Sequence, residues 1–349
     1  MRILITGNMG YVGSVLTRHL RRVSESTYIA GYDSGFFAHC LTTTSELPER
    51  FLDVQRFGDV RSVISASMLH GFDAVVHLAA VSNDPMGNRF EAVTDEINHR
   101  ASVALAEAAA AAGVKNFVFA SSCSVYGFAE DGHARSEEDT LNPLTAYARS
   151  KIATEESLKN INLNGMTVTA LRFATACGMS DRLRLDLVLN DFVACALASG
   201  EITVMSDGTP WRPLIEVRDM ARAIEWSIAR PADNGGQFLV VNAGSNSWNL
   251  QVKDLAQSVA GVVGNTTVSI NTDAPPDKRS YEVNFGLFEK LAPNHQPLQT
   301  LDSTITRLRD GLRAINFNDP NFRQSQLIRL RALEKHMLDG RLTANLRWV

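Results

Sequence analysis

The sequence predicts an α/β fold, a doubly wound parallel sheet joined by a smaller, interleaved C-terminal part. Three observations lead there. Apolar, β-rich stretches alternate with helical patterns through the first half of the chain, the signature of strands joined by crossover helices. The first apolar run opens directly into glycines at 7, 10 and 13 with a helical pattern starting among them. After about residue 178 the alternation loosens into mixed segments that do not repeat the first pattern.

Taken in order, 2–6 is a short apolar strand, and 11–22 is the helix that starts inside the glycines. A second strand, 28–32, runs into Asp33, and 60–67 has a helical pattern. Strand 74–78 leads to an alanine-rich helix at 96–112, which Gly113 ends with Lys115 nearby, as a helix stop should look. Strand 116–120 ends in hydroxyls, helix 147–160 follows, and 167–173 is the fifth strand. Beyond it, 180–191 is charged and mixed, 190–200 reads as a helix, Asp207-Gly-Thr-Pro210 as a turn, and 218–229 and 252–263 as further helices. Pro275-Pro-Asp-Lys-Arg279 is basic and turn-rich. The stretch 322–337 is an amphipathic basic helix with Leu327, Leu330, Leu333 and Met337. Glu334 and His336 suit a helix packed on the domain or on a second subunit better than one lying on lipid. The division is therefore 1–178 for the sheet domain, 179–315 mainly for a second part with some segments returning to the sheet, and 316–349 for a C-terminal helical extension.

The glycine triplet has a specific chemical reading. Gly7 permits the tight turn after the strand, Gly10 lets the backbone approach a pyrophosphate, and Gly13 lets the helix pack close to the strand. The helix N-terminus then presents free N–H groups to phosphate oxygens. Such a Rossmann site needs an acidic residue about 20 residues on, to hold the adenosine ribose hydroxyls. Asp33 stands at that distance, and Ser34 and Gly35 after it bring no cation to receive a 2′-phosphate. The cofactor expected is NAD rather than NADP. Asp59, in Gly58-Asp-Val-Arg61, is a candidate for the adenine edge or an ordinary turn aspartate.

The second anchor is Tyr147-Ala-Arg-Ser-Lys151. Residues four apart on a helix share a face, so the phenol and the ammonium meet one ligand together. Tyrosine titrates near pH 10. A nearby Lys⁺ and the positive nicotinamide of oxidised NAD favour the phenolate, which then takes a proton from a substrate hydroxyl. Lys151 also hydrogen-bonds the nicotinamide ribose in this reading. Ahead of it, Asn116-Phe-Val-Phe-Ala-Ser-Ser-Cys-Ser-Val-Tyr-Gly127 ends a strand with Ser121 and Ser122, at the carboxyl edge where open α/β sheets hold ligands.

Taken together, Thr6-Gly-x-x-Gly-x-x-Gly13, Asp33, Gly58-Asp-Val-Arg61, His77-Leu-Ala-Ala80, Ser121-Ser-x-x-Val-Tyr-Gly127 and Tyr147-x-x-x-Lys151 resemble the extended short-chain dehydrogenase/reductase family, in its branch of nucleotide-sugar epimerases and dehydratases. The resemblance covers roughly 1–315. It implies cofactor contacts from Gly7, Gly10, Tyr11, Val12, Gly13, Asp33, Asp59, Val60, Leu78, Ala79, Ala80, Tyr147 and Lys151. It implies Tyr147 as base, Lys151 as its partner and Ser122 as the third catalytic member, chosen over Ser121 by its spacing from Tyr126. Arg212, in Asp207-Gly-Thr-Pro-Trp-Arg212, and Arg279, in Pro276-Asp-Lys-Arg-Ser-Tyr281, resemble the family's diphosphate arginines; a planar guanidinium fork suits phosphate oxygens. The implied chemistry begins with transient oxidation of a sugar hydroxyl, generally at C4. Epimerisation or dehydration then follows from the keto sugar.

Departures from the family bear on that choice. Sugar 4,6-dehydratases carry Asp and Glu where Cys123 and Ser124 stand, which disfavours ordinary 4,6-dehydration. Cys123 is a candidate acid or base, with a small packed residue as the alternative. Relatives usually place a substrate-binding asparagine near Thr175, in Arg172-Phe-Ala-Thr-Ala-Cys-Gly178, and Glu216 stands where histidine is common. The reading is therefore an NAD-dependent nucleotide-sugar epimerase. A dehydratase or net oxidoreductase of the same family is the alternative, and a non-catalytic NAD-binding protein is disfavoured by the presence of both Tyr147 and Lys151.

Composition sets the outer bounds. The chain has 349 residues, 45% hydrophobic and 21% charged, with net charge −4. No global field recruits nucleic acid or anionic membrane, and no stretch is apolar enough to span a bilayer. The apolar run at the start is too short for a secretory signal. The four cysteines, Cys40, Cys123, Cys177 and Cys195, have no metal-ligand spacing, and no metal is expected. A reducing cytoplasm fits, and the resemblance suggests a homodimer built from the helices at 96–112 and 147–160.

Overall fold

The computed structural model describes residues 1–44, 46–62, 64–128, 133–274 and 280–349. The strands in chain order are β1 (Arg2–Thr6), β2 (Tyr28–Asp33), β3 (Val54–Phe57), β4 (Ala74–His77), β5 (Asn116–Ser122), β6 (Thr167–Phe173), β7 (Thr175–Cys177), β8 (Glu201–Val204), β9 (Trp211–Glu216), β10 (Phe238–Ala243), β11 (Asn249–Gln251) and β12 (Thr267–Ile270). Seven of them form the main sheet in the order β10-β6-β5-β4-β1-β2-β3, with every neighbouring pair parallel. The order reverses beside β1, and all the carboxyl ends lie along one edge, where such sheets take their ligands.

Parallel strands covered on both faces read as unbroken apolar runs, and β1, with every residue after Arg2 buried, is such a strand. Its side chains alternate between two cores. Ile3 and Ile5 pack with Leu16 and Leu20 of the helix Tyr11–Val23 and with Ala221 and Ile224 of the helix Val217–Ala229. Leu4 faces the other way, toward Leu105, Ala109 and Leu158 of the helices Ala101–Ala111 and Ala146–Asn160. The helix Val217–Ala229 covers one face of the main sheet, and β10 pairs with β6.

The second part has its own core. Leu189, Phe192 and Val193 of the helix Val188–Ala198 meet Leu255 and Val259 of Val252–Val263 and Ile305 and Leu308 of Leu301–Ala314. Two small sheets flank it, β11-β9-β7 and β12-β8. The turn at 207–210 has Gly208 at φ +80, and the Asp207 carboxylate accepts from the Thr209 amide at 3.1 Å.

Some expected elements differ. In place of a helix at 60–67 there is a short one, Ala66–Leu69. The Asp59 carboxylate takes the Arg61 amide and the Asp59 carbonyl takes the Ser62 amide, a side-chain-capped turn that competes with a helix start. β3 was not anticipated; it is a half-exposed edge strand with little apolar pattern. The stretch 322–337 is not one helix but a turn, Phe322–Gln324, followed by the helix Arg329–Leu338. The Leu327 carbonyl accepts from the Leu185 amide instead of closing a helical turn. This segment packs on the sheet domain, Leu333 and Leu342 meeting Met86, Val93 and Ile97. Among the described residues, no helix is long and apolar enough to cross a membrane.

Candidate active site

A single cavity of about 900 Å³ runs along the carboxyl edge of the main sheet. Its floor is the glycine turn. Gly7 has φ +76, a region glycine enters freely, and a Cβ there would sit 2.6 Å from the Ala79 nitrogen. A Cβ on Gly13 would overlap the Gly7 carbonyl and come within 2.5 Å of Asn8 Cα, so the helix lies against the turn as only glycine permits. Gly10 caps the helix Tyr11–Val23 without any side-chain bond, leaving first-turn N–H groups without intrahelical partners at the cavity wall that Gly10, Tyr11 and Val12 line. Thr6 Oγ1 and the His77 ring, 2.6 Å apart, tie β1 to β4 beneath this turn.

Asp33 lines the cavity at the end of β2. Burial pushes its carboxyl up, while bonds from the Gly35 and Met9 amides, at 2.7 and 2.9 Å, hold it down. The carboxylate therefore also fastens the glycine turn. Val60, Leu78, Ala79 and Ala80 line the same wall. Asp59 lines it too, but its carboxylate is already gripped by Arg61 at 2.6 to 3.1 Å. An uncapped helix start beside a glycine turn and a ribose-spaced carboxylate fit a dinucleotide.

Tyr147, Lys151 and Ser122 face the cavity from β5 and the helix Ala146–Asn160, and Thr145 Oγ1 caps that helix by accepting from the Ala148 amide at 3.1 Å. Lys151 Nζ donates to the Ala120 carbonyl at 2.7 Å and lies 5.5 Å from the centre of the Tyr147 ring. The Ser122 hydroxyl lies on the same side as the Tyr147 phenol and acts to lower its pKa, whereas Ser121, on the alternate side of the strand, donates to Glu155. The charge states differ from the simplest reading. Burial pushes Tyr147 up to about 12, with Asp84 adding to it and Ser122 and Arg184 opposing it. Burial also pushes Lys151 down to about 7, opposed by Glu155. The chain alone thus keeps the phenol protonated at neutral pH, and ionisation needs additional positive charge at the site.

Behind this face lies a buried polar network. Arg172 Nη2 meets Glu155 Oε2 at 2.7 Å, with both side chains 5% exposed, and Arg172 Nη1 donates to the Tyr126 hydroxyl at 3.0 Å. Tyr126 in turn donates to Asn242 at 2.7 Å. Glu155 escaped the sequence reading, although it follows Lys151 by four and so shares its helix face. Arg184 also escaped it: it lines the cavity from the charged stretch, forked onto Asp186 at 2.9 and 3.1 Å. Nothing in that mixed stretch distinguished it from a surface cation.

Among the expected site residues, Cys123 needs correction. It is completely buried and its thiol donates to the Arg172 carbonyl at 3.0 Å. It does not line the cavity, and burial pushes the thiol well above its ordinary value. It is a packed residue, not an available acid or base. Its neighbour Ser124 does line the cavity, with a buried hydroxyl that has no partner among the described residues. Thr175 and Arg212 line the cavity as well. Arg279 lies outside the described residues. Glu216 caps the helix Val217–Ala229 and pairs with Arg218 at 3.0 Å.

The profile of the NAD dependent epimerase/dehydratase family matches residues 3–244, which contain the glycine turn, Asp33, Ser122, Tyr147 and Lys151. The chain belongs to that family. It is an enzyme of the epimerase/dehydratase type, with NAD as cofactor. Among relatives, the uncharacterized UDP-glucose epimerase YtcB of Bacillus subtilis (strain 168) is 28% identical over 270 residues, covering 75% of this chain and 83% of the relative. The structure of MoeE5 in complex with UDP-glucuronic acid and NAD superposes with TM-score 0.75 at 25% identity, covering 90% of this chain and 99% of that one. The NAD-dependent NDP-hexosamine 5,6-dehydratase TunA shares the fold with TM-score 0.76 at 22% identity, over 92% and 99%. Epimerases and a dehydratase thus stand together around this fold, and the chemistry must be argued from the site.

Proposed function

We propose that this family member is a nucleotide-sugar epimerase that acts by transient oxidation of a sugar hydroxyl, at C4, to a keto sugar. The observation that supports it is the wall beside Ser122. Ser122 and Tyr147 line the cavity together, while the next two positions offer a buried thiol and a hydroxyl. Eliminating water from a keto sugar needs an acid and a base next to the reacting carbons, and neither position supplies a carboxylate. Inverting one hydroxyl needs only a group that takes its proton and gives it back.

Ser122 and Tyr147 converge on the sugar oxygen, and Tyr147 accepts its proton as the carbonyl forms. NAD, when bound, supplies the electron acceptor at the neighbouring carbon and later returns the electrons. Lys151, fixed on the Ala120 carbonyl, holds the nicotinamide ribose and keeps positive charge near the phenol. The keto sugar turns over within the cavity so that its other face would be reduced, and Tyr147 returns the proton to the sugar oxygen. Arg212, with Arg279, holds the diphosphate and lets the sugar rotate about it; Thr175 and Ser124 face the sugar. MoeE5, with UDP-glucuronic acid and NAD in its structure, supports a UDP-sugar as the first substrate to try. The working form proposed is a cytoplasmic homodimer through the helices around 96–112 and 147–160.

The test is a panel of UDP- and dTDP-sugars incubated with the enzyme in deuterated water and followed by NMR. Inversion at C4 without solvent deuterium, and without accumulating NADH, is expected. Loss of water or steady NADH production overturns the proposal. Tyr147→Phe should abolish turnover while leaving NAD bound.

A further inference from the structure

The cofactor cavity is closed at its adenosine end by a piece of chain from beyond residue 244, where the family profile stops. Residues 342–348 form a small hairpin. Leu342 and Trp348 pair antiparallel, the Thr343 amide donates to the Arg347 carbonyl at 2.9 Å, and the Leu346 amide donates to the Thr343 carbonyl at 3.0 Å. Leu346 at its tip is fully buried and has φ +50. A leucine is rarely left-handed, and such a conformation persists only where the surroundings over-determine it. Here they do, because both tip carbonyls are clamped: Arg61 donates to the Asn345 and Leu346 carbonyls at 2.7 Å each. The same guanidinium holds Asp59.

Further polar tethers of this hairpin land on the adenosine side. Trp348 Nε1 donates to the Ser34 carbonyl at 2.6 Å, next to the ribose carboxylate Asp33. Arg347 Nη1 lies 3.6 Å from Asp59 Oδ2. His336, on the helix leading into the hairpin, bonds the Phe36 carbonyl at 3.0 Å. Leu346 and Leu333 line the cavity together with Asp33, Ser34, Phe36 and Val60. Ser34, Phe36 and Val60 follow β2 and β3, outward of Asp33, where the adenine of a dinucleotide held at Gly7–Gly13 must lie.

We propose that the 342–348 hairpin is a clasp belonging to the cofactor site: Leu346, buried behind the wall that Val60, Val81 and Ile97 present to the adenine side of bound NAD, pins the hairpin there, and the Arg61 bridge locks it, so that NAD is retained through many turnovers. The inference rests on NAD lying in this cavity with its adenosine at Asp33. Rate of release is the property it controls, since differences among related complexes lie mainly in dissociation.

The experiment follows NAD release from the full chain by chasing with excess etheno-NAD, and measures the NAD carried by purified protein. Two variants are compared, one lacking residues 342–349 and one with Leu346→Gly. Glycine adopts φ +50 without strain, so the turn and its Arg61 bridge can persist while the buried side chain is gone, and the variant remains decisive if the truncated chain fails to fold. Release is expected to rise about tenfold or more in both, with native far-UV dichroism and saturable rebinding. Folded variants that release NAD at the parent rate overturn the clasp, and so do variants that bind NAD more tightly, which would make the hairpin a competitor. An intact protein that neither carries nor takes up NAD overturns the placement of the cofactor itself, a result separate from both.

Discussion

Replacing Glu155 with glutamine should weaken the protein and move its pH profile together. Among the described residues, Glu155 is the carboxylate that pairs with the Arg172 guanidinium, with contacts at 2.7, 3.1 and 3.2 Å between side chains 5% exposed. Removing one charge from such a pair leaves the other buried and uncompensated, at about 3–5 kcal/mol. Glutamine keeps one acceptor oxygen, so the lower end, about 3 kcal/mol, applies. With a urea dependence near 3 kcal/mol per molar, the unfolding midpoint should fall by about 1 M. The second effect is electrostatic. Glu155 opposes the burial that brings Lys151 down to about 7, so without it Lys151 loses its proton at lower pH still. The limb of the pH–rate profile that needs charged Lys151 should shift toward acid, and Glu155→Asp should restore part of it. A folded Glu155→Gln enzyme with a midpoint within about 0.2 M of the parent, well inside the loss expected for a buried pair, and an unmoved profile would refute the buried pair and its coupling to Lys151.

Three other outcomes can be checked alongside. Cys123→Ala should keep turnover within a few-fold, because the thiol touches only the Arg172 carbonyl and lies off the cavity; a loss of a hundredfold by steady-state kinetics would restore it as an acid or base. Asp84→Asn should shift the phenol's limb to lower pH, since the Asp84 charge raises Tyr147; a shift in the opposite direction would remove Asp84 from the site's electrostatics. His77 is held near 3 by burial and stays neutral when folded. The unfolded chain takes up a proton near 6.5, so stability should decline as pH falls from 6.5 toward 3, by at most roughly 5 kcal/mol. Urea titrations across that window should show a flatter decline for His77→Gln.

The cofactor half of the site was legible because its requirements fall on short stretches of chain. Gly7 and Gly13 are needed by backbone approaches of a few ångströms, and no other residue type substitutes there. Tyr147 and Lys151 are four apart on one helix, and Ser122 stands at a strand end. Alternation along β5 separates Ser122 from Ser121, which turns to Glu155. Cys123 marks the limit of the same reasoning: its position in a motif left an acid or base and a packed residue both open, because it says nothing of which way the side chain points, and it points into the core. Arg184 reaches the cavity from an irregular stretch and Asp84 from the first turn of the short helix Asp84–Arg89, too short to carry a periodic signal. The segment 322–337 has helical periodicity, but the Leu327 carbonyl bonds Leu185, over a hundred residues away in sequence, and no local pattern encodes that.

The clasp and the proposed chemistry constrain each other. An epimerase takes electrons from its sugar and must return them to the same sugar. A cofactor that departs between those steps leaves a stranded keto sugar and an enzyme unable to finish. A net oxidoreductase faces the opposite requirement, since its reduced cofactor must leave in every turnover, and a clasp held by two clamped carbonyls would limit its rate. A leucine kept at φ +50 against the adenosine wall therefore argues for the redox-neutral member of the pair. The two ideas also separate cleanly in one experiment. If Leu346→Gly loses NAD faster and, at limiting NAD, accumulates keto sugar in place of epimer, retention serves epimerisation. If the same variant turns over faster with net NADH formation, release was the slow step, and the enzyme is an oxidoreductase.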